Sequence, residues 1–316
     1  MMSKKPMKIV INPAYSSIER FIWDLPVIFD KEGEVIYEGR NILKRYRIMG
    51  LDLVVKSFKI PIIINRIAYT FFRKSKACRS YEYAFEIMQK GFETPMPIAY
   101  IEEYKDGLLY RSYFISEYNS TAVTMRGYMD GSISASDEML RSFAEYTARL
   151  HEAGVLHIDY SPGNVLMDTN PDGTYRFYLI DINRLRFQEI SRKKALQNFD
   201  RLALSESVLG RIAKFYAEFR NFNVEDSVYL MNMYSDQFFL KRSFEYIAKA
   251  LKKEHGWKAV LFGPLQQYFF VRRMRLLFCS EKKKNCFFKK ERDLYRKYIQ
   301  QSDLRGAINR LNHYES

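Results

Sequence analysis

The chain predicts an α+β fold of two lobes sharing a cleft, with an antiparallel, β-rich first lobe holding one key helix and a mainly helical second lobe. Two observations carry this expectation. Short β-branched and apolar runs separated by turn residues fill the first third, and helical spacing dominates after about residue 120. A length of 316 residues suits such a pair of lobes. The expected boundary divides the chain into residues 1–119 and 120–316.

The strands come first. Glu34–Tyr37, Ile42–Ile48 and Leu51–Phe58 form a meander, with turns at Gly39-Arg40-Asn41 and Met49-Gly50. A helix is expected over Arg79–Lys90, where Tyr81, Phe85 and Met88 recur at helical spacing and Gly91 supplies a stop. Thr94-Pro95-Met96-Pro97 enforces extended chain. Ile98–Glu102 and Leu108–Ser116 then read as strands joined at Asp106-Gly107. Ser134 or Ser136 caps a helix that runs to about His151, with Leu140, Phe143 and Leu150 on one stripe. Val165–Met167 and Tyr175–Ile180 are short strands around Asn170-Pro171-Asp172-Gly173. From Ser191 onward the pattern is mostly helical and increasingly basic.

Composition narrows the setting. A 47% hydrophobic and 28% charged balance is that of a globular protein able to bury a core without metals or disulfides. Cys78, Cys279 and Cys286 are odd in number and have no metal-ligand pairing, which points to a reducing compartment. No apolar segment follows the first lysines, and Ile60–Phe72 is broken by Asn65 and Arg66 and is too short to span a bilayer. The expected location is cytoplasmic, with peripheral contact on the inner face of the membrane. A net charge of +14 favours polyanionic partners. Arg66, Arg73, Lys74, Lys76 and Arg79 adjoin Phe71-Phe72. Arg272-Arg273-Met274-Arg275 and Lys282–Lys290 interleave with Leu and Phe. Basic residues mixed with apolar ones suit an anionic membrane surface or glycolipid. No RNA-binding module is recognisable, so nucleic acid is not an expected partner, and no obligate protein partner is inferred.

One constellation carries chemistry. His157-Ile158-Asp159 is followed by Asn164 and an apolar strand, and Tyr178-Leu179-Ile180 ends on Asp181. Phosphoryl transfer needs a carboxylate at the acceptor hydroxyl and hard oxygen ligands for magnesium. Asp159 suits the first task, and Asn164 with Asp181 suits the second. His157 reads as an anchor of the loop. Lys56 closes the strand Leu53-Val54-Val55, where an ammonium would bind phosphates if a helix carboxylate positioned it. Glu82 is the expected partner, with Glu86 one turn later in reserve. Glu117-Tyr118, at the junction between lobes, would offer backbone groups to an adenine.

In this order, the residues resemble the protein-kinase-like superfamily. Within it, Val54–Lys59, Arg73–Ala77, Gly91–Tyr100, the His157–Asn164 loop and Leu179-Ile180-Asp181 look like the bacterial lipopolysaccharide core kinases, which phosphorylate Kdo or heptose on nascent lipid A–core. The resemblance spans about residues 30–220. It implies ATP and Mg2+ as cofactors and a sugar hydroxyl of an anionic glycolipid as acceptor. It assigns Asp159, Lys56 and Glu82 to catalysis, and Lys56, Gly39, Glu117 and Tyr118 to the nucleotide. Asn164 and Asp181 go to the metal. The chain departs from ordinary protein kinases in three ways. It has no Gly-x-Gly-x-x-Gly, only Gly39 at the first hairpin. Position 158 is Ile. Asp181 is followed by Ile182-Asn183, with no Ala-Pro-Glu element downstream. An atypical Ser/Thr protein kinase, a small-molecule kinase and an ATP-binding pseudokinase scaffold are the competing readings.

Overall fold

Strand β4 (Leu51–Phe58) shows how the first lobe places its lysine. Alternation sends Leu53 and Val55 to one face of the sheet, fully buried, and Val54, Lys56 and Phe58 to the other. The computed structural model describes residues 6–202 and 206–238. Its first lobe runs β1 (Met7–Ile11), α1 (Glu19–Ile28), β2 (Glu34–Glu38), β3 (Ile42–Ile48), β4, α2 (Ile63–Phe71), α3 (Lys76–Gln89), β5 (Pro97–Lys105) and β6 (Leu108–Glu117). The six strands form one antiparallel sheet in the order β1-β5-β6-β4-β3-β2.

Helix α1 lays Ile22 and Leu25 on one face of this sheet, against Leu53, Val55, Ile101 and Ile115. On the opposite face, Ala77 and Cys78 of α3 pack with Phe58 and Tyr100. The sequence pattern does not announce β1, α1 or α2. Helix α3 also starts earlier than its apolar spacing suggests, because Ser75 caps it by accepting from the Cys78 N–H at 3.0 Å.

The second part runs β7 (Val123–Thr124), α4 (Arg126–Asp130), α5 (Asp137–Glu152), β8 (Val155–His157), β9 (Val165–Thr169), β10 (Tyr175–Leu179), β11 (Leu185–Phe187), α6 (Arg192–Gln197) and α7 (Glu206–Phe219), followed by helical residues 224–238. Ser136 caps α5 through the Met139 N–H, as expected. Gly154 ends it at φ +74°, with a β-carbon's position only 3.0 Å from the Gln188 carbonyl, so no other residue fits without displacing backbone. Two small antiparallel pairings, β8 with β11 and β9 with β10, hold the loops that carry the expected chemistry. Leu140, Phe143, Leu150, Phe199, Ile212 and Tyr216 belong to one core beneath them. The basic runs at 272–275 and 282–290 lie outside the described residues.

A buried polar relay crosses this core. The Tyr216 hydroxyl meets His151 Nδ1 at 2.8 Å. His151 Nε2 meets Asn198 Oδ1 at 3.0 Å, and Asn198 Nδ2 donates to the His157 carbonyl at 2.9 Å. Burial pushes His151 down to about 4. Unfolding exposes the ring and restores its usual value near 6.5, so the unfolded chain takes up the proton first as pH falls. Stability from this group is complete above about pH 6.5 and declines as pH drops toward 4. Denaturant titrations should therefore show a loss on the order of 2 kcal/mol between about pH 7.5 and 4.5. His151→Gln should flatten that dependence while lowering stability at neutral pH. An unchanged pH slope in the variant would refute the assignment.

Candidate active site

The alternation that buries Leu53 and Val55 aims Lys56 at the cleft, where its ammonium lies 2.7 Å from Asp181 Oδ1. Both side chains are largely shielded, at 14% and 18% exposure, so the pair acts in a medium of low polarizability. Asp181 adopts the left-handed conformation (φ 54°, ψ 40°) at the end of β10, a region that aspartate tolerates better than most residues. Asn183 Nδ2 donates to the same Asp181 oxygen. Burial raises the Asp181 carboxyl, but Lys56, with His157 and Arg184 beyond it, outweighs burial and holds the group at about 2.

The loop between β8 and β9 is fixed from below. His157 Nδ1 accepts from the Asp159 N–H at 3.1 Å, so Nε2 carries the proton and donates to the Ile180 carbonyl at 3.0 Å. This neutral tautomer agrees with burial, which lowers the ring's affinity for a second proton. One imidazole thus joins the Asp159 loop to the chain entering Asp181. Tyr160, also buried, bonds Thr147 of α5 at 2.8 Å. Asn164 Nδ2 donates to the Asp159 carbonyl at 2.9 Å, and its own carbonyl accepts from the Ile180 N–H at 3.0 Å. Asn164 lines the cavity. Ile158 is 43% exposed and keeps a negative φ, so its branched side chain is accommodated without strain.

A cavity of about 370 Å³ opens between the lobes. Leu43 and Val54 line it from the sheet, and Leu166 and Ile180 line it from the second lobe. Lys56, Asn164 and Asp181 stand together in its wall. Apolar walls meeting a few convergent polar groups fit a planar base with a charged tail. Outside this wall, Asp159 is paired by Arg201 at 2.8 Å and Arg184 at 3.5 Å.

Two expectations need correction, and one is narrowed. Glu82 does not reach Lys56. It is bound by Lys74 Nζ at 2.8 Å on the exposed side of α3, and Ser80 is the α3 residue that lines the cavity. The cause is helical phase, since α3 buries the stripe Ala77, Ser80, Ala84 and Ile87, which turns Glu82 outward. Glu86 makes no bond to Lys56 either; that lysine's carboxylate partner is Asp181. Second, the backbone donors of Glu117 and Tyr118 are already used, by the Met96 and Asp52 carbonyls at 3.0 and 2.9 Å. Both residues line the cavity, so the expectation is narrowed to their remaining backbone groups and is not overturned. Third, Gly39 sits in an exposed turn outside the cavity lining, where a side chain would collide with the Tyr37 hydroxyl. Neighbouring Tyr37 and Ile36 line the cavity instead.

The structure also adds residues that the sequence pattern does not single out. Lys76, read in the sequence as part of a surface basic run, lies near Asp181. Burial, then Arg40 and Arg184, push its ammonium down to about 8. Arg126 lines the cavity over Gly163, where any β-carbon would strike its guanidinium. The signal for Lys76 was available in its position, at the first turn of a helix that abuts Asp181. Among the described residues there is no cluster of three or more His, Cys, Asp or Glu able to hold a metal. Asn164 with Asp181 is instead a two-ligand oxygen set, the sort that completes magnesium coordination with phosphate and water.

Comparison with known proteins identifies the arrangement. Residues 44–234 match the model of the lipopolysaccharide kinase (Kdo/WaaP) family. A curated 3-deoxy-D-manno-octulosonic acid kinase from Vibrio parahaemolyticus is 24% identical over 144 residues, 46% of this chain; the matched region spans 58% of that relative's length. A solved structure of WaaP in complex with acyl carrier protein aligns with a TM-score of 0.52 at 14% identity, covering 73% of this chain and 98% of that one. The fold is protein-kinase-like.

The corrected ion pairs make opposite stability predictions. Lys56→Met leaves the Asp181 carboxylate shielded without its cation and should cost about 2 kcal/mol or more, with the carboxyl titrating well above about 2. Glu82→Gln removes an exposed pair and should cost less than about 1 kcal/mol. Chemical denaturation and carboxyl-carbon NMR titration measure both; equal costs would contradict the pairing described.

Proposed function

The chain belongs to the lipopolysaccharide kinase (Kdo/WaaP) family, and from that premise we propose that it is an ATP- and Mg2+-dependent kinase acting on a sugar hydroxyl of the lipid A–core region. The observation that carries the reading is one cleft in which Lys56, Asn164 and Asp181 converge beneath apolar walls. When bound there, ATP with Mg2+ supplies the transferable phosphoryl group and neutralises its charge.

Leu43 and Val54 above, with Leu166 and Ile180 below, would hold the base. The Glu117 backbone carbonyl is a candidate acceptor for its amino group. Lys56 and Lys76 would hold the phosphates. Asn164, through its side-chain oxygen, and Asp181 would hold the metal. Asp159 orients the acceptor hydroxyl and takes its proton on a carboxylate oxygen. Its two arginines, Arg184 and Arg201, favour an acceptor that carries its own anion, as an acidic sugar does: that anion would take over their charge as the hydroxyl reaches Asp159. A glycolipid acceptor would place the work at a membrane surface. The described residues include no helix long and apolar enough to cross a membrane, which fits peripheral contact. The solved WaaP complex makes an acyl carrier protein a candidate partner as well.

Labelled ATP offered with a Kdo–lipid A precursor, with proteins and with aminoglycosides tests the reading. Transfer to the precursor is expected. Asp159→Asn should lower it about 100-fold or more while nucleotide binding persists. Arg201→Ala should raise KM for the anionic acceptor and leave that for ATP within about twofold. Near wild-type turnover in Asp159→Asn, or transfer only to protein, would refute the proposal.

A further inference from the structure

Helix α2 is inside out. Its polar side faces the protein. Arg66 donates to the Leu109 and Lys105 carbonyls at 2.9 and 3.1 Å, and Thr70 Oγ1 accepts from the Leu109 N–H at 2.9 Å. These bonds fasten the helix to the β5–β6 hairpin. Its apolar side faces out. Ile63, Ile67 and Phe71 recur at four-residue spacing, and Ile64 and Phe72 extend the stripe. Ile64 is 71% exposed, Phe71 66% and Phe72 84%, and α2 has no buried residue. Scattered exposed apolar residues are ordinary, but a whole helical face of isoleucine and phenylalanine is not.

Charge identifies what covers it. Residues 59–80 hold six Lys or Arg and no Asp or Glu. Lys59 and Arg73 flank the stripe and are exposed, as are Lys105 on the supporting hairpin and Lys74, whose charge is paired by Glu82. An apolar stripe bordered by cations, presented on a firmly anchored convex helix, matches the boundary between anionic headgroups and acyl chains. A protein groove could also receive an exposed amphipathic helix; the flanking cations favour the anionic bilayer, and a protein occupant is an outcome of the test below. We infer that α2 is a membrane-docking element, which inserts Ile64, Phe71 and Phe72 into the interface of an anionic bilayer while Lys59 and Arg73 contact its headgroups. The inference adds the docking surface to the glycolipid-kinase reading and rests on that reading only for its purpose.

The test uses the full chain with Phe72→Trp, read against wild type to subtract the two native tryptophans. With vesicles of phosphatidylglycerol and phosphatidylethanolamine, the added indole should shift its emission to the blue and be quenched by brominated acyl chains. Phosphatidylcholine vesicles should bind at least about tenfold more weakly, as should the anionic vesicles in about 0.5 M salt. Ile64→Glu with Phe71→Glu should lower anionic-vesicle binding about tenfold and leave phosphate transfer to a lipid-free sugar acceptor within about twofold. Vesicle binding by the Phe72→Trp variant without any change in the emission of its added indole would locate docking elsewhere and overturn the inference. So would a shift on adding acyl carrier protein but none with vesicles. Loss of transfer to every acceptor in wild type would count against the kinase reading alone, since vesicle docking is read independently of it.

Discussion

The ion pair between Lys56 and Asp181 is the contact on which the cleft depends. It joins a sheet residue to a loop residue 125 positions later, and each charge would be desolvated to no gain without the other. The surrounding bonds all converge on it. Thr94 Oγ1 donates to the Leu179 carbonyl at 2.7 Å, just before Asp181, and Arg79 donates to the Asn183 carbonyl at 2.9 Å, just after it. The Leu179 N–H returns to the Glu93 carbonyl. The segment carrying Asp181 is thus stitched to the first lobe on both sides, and the left-handed turn at Asp181 persists because its neighbours determine it.

Around this single carboxylate the protein gathers more positive charge than it needs. Lys56 satisfies Asp181 already, yet Lys76, Arg40 and Arg184 crowd the same space. Burial together with those like charges depresses the Lys76 ammonium to about 8. Such crowding is unfavourable in isolation and becomes favourable once a polyanion enters, since added negative charge relieves the repulsion among cations. The cost of assembling the site is then offset by the ligand rather than by the fold. The loop holding Asp159 follows the reverse logic. Tyr160, His157 and Asn198 tie it to the core through satisfied neutral bonds, so its position needs no ligand.

Much of this is legible in the sequence, and the parts that are not share physical causes. Strands β2 to β6 follow from alternation and turn residues. That Asn164 and Asp181 share one cavity follows from residue type and spacing, because the β8–β9 and β10–β11 loops leave few ways to arrange them, whereas Asp159 lies outside that wall. Glu82 misleads because its direction depends on which face of α3 is buried: small residues Ala77, Ser80 and Ala84 with Ile87 pack inward, whereas apolar spacing points to Tyr81, Phe85 and Met88. Glu117 and Tyr118 do stand at the cavity, but hydrogen-bond register with Met96 and Asp52 decides which backbone groups remain free. β1 and α1 lack any residue whose chemistry draws notice. Helix α2 escapes assignment because the periodicity rule assumes an apolar face turned toward the protein, and here it turns away.

That reversal connects surface to chemistry. Helix α2 is the link between β4, which ends just beyond Lys56, and α3, which begins at Lys76. Lys56 and Lys76 are therefore carried by the two elements that α2 joins. Its polar face is bonded to the hairpin of β5 and β6, and β6 pairs along β4 with Lys56 opposite Phe114, a residue that lines the cavity. A force or orientation imposed on α2 acts through main-chain hydrogen bonds on the strand that positions Lys56, without passing through a flexible tether. Seating the exposed isoleucines at a bilayer would thus orient the cleft relative to that surface. A glycolipid acceptor, held by its own acyl chains in the same bilayer, would then meet Asp159 from a restricted set of directions, and restricting approach in this way is what converts proximity into rate.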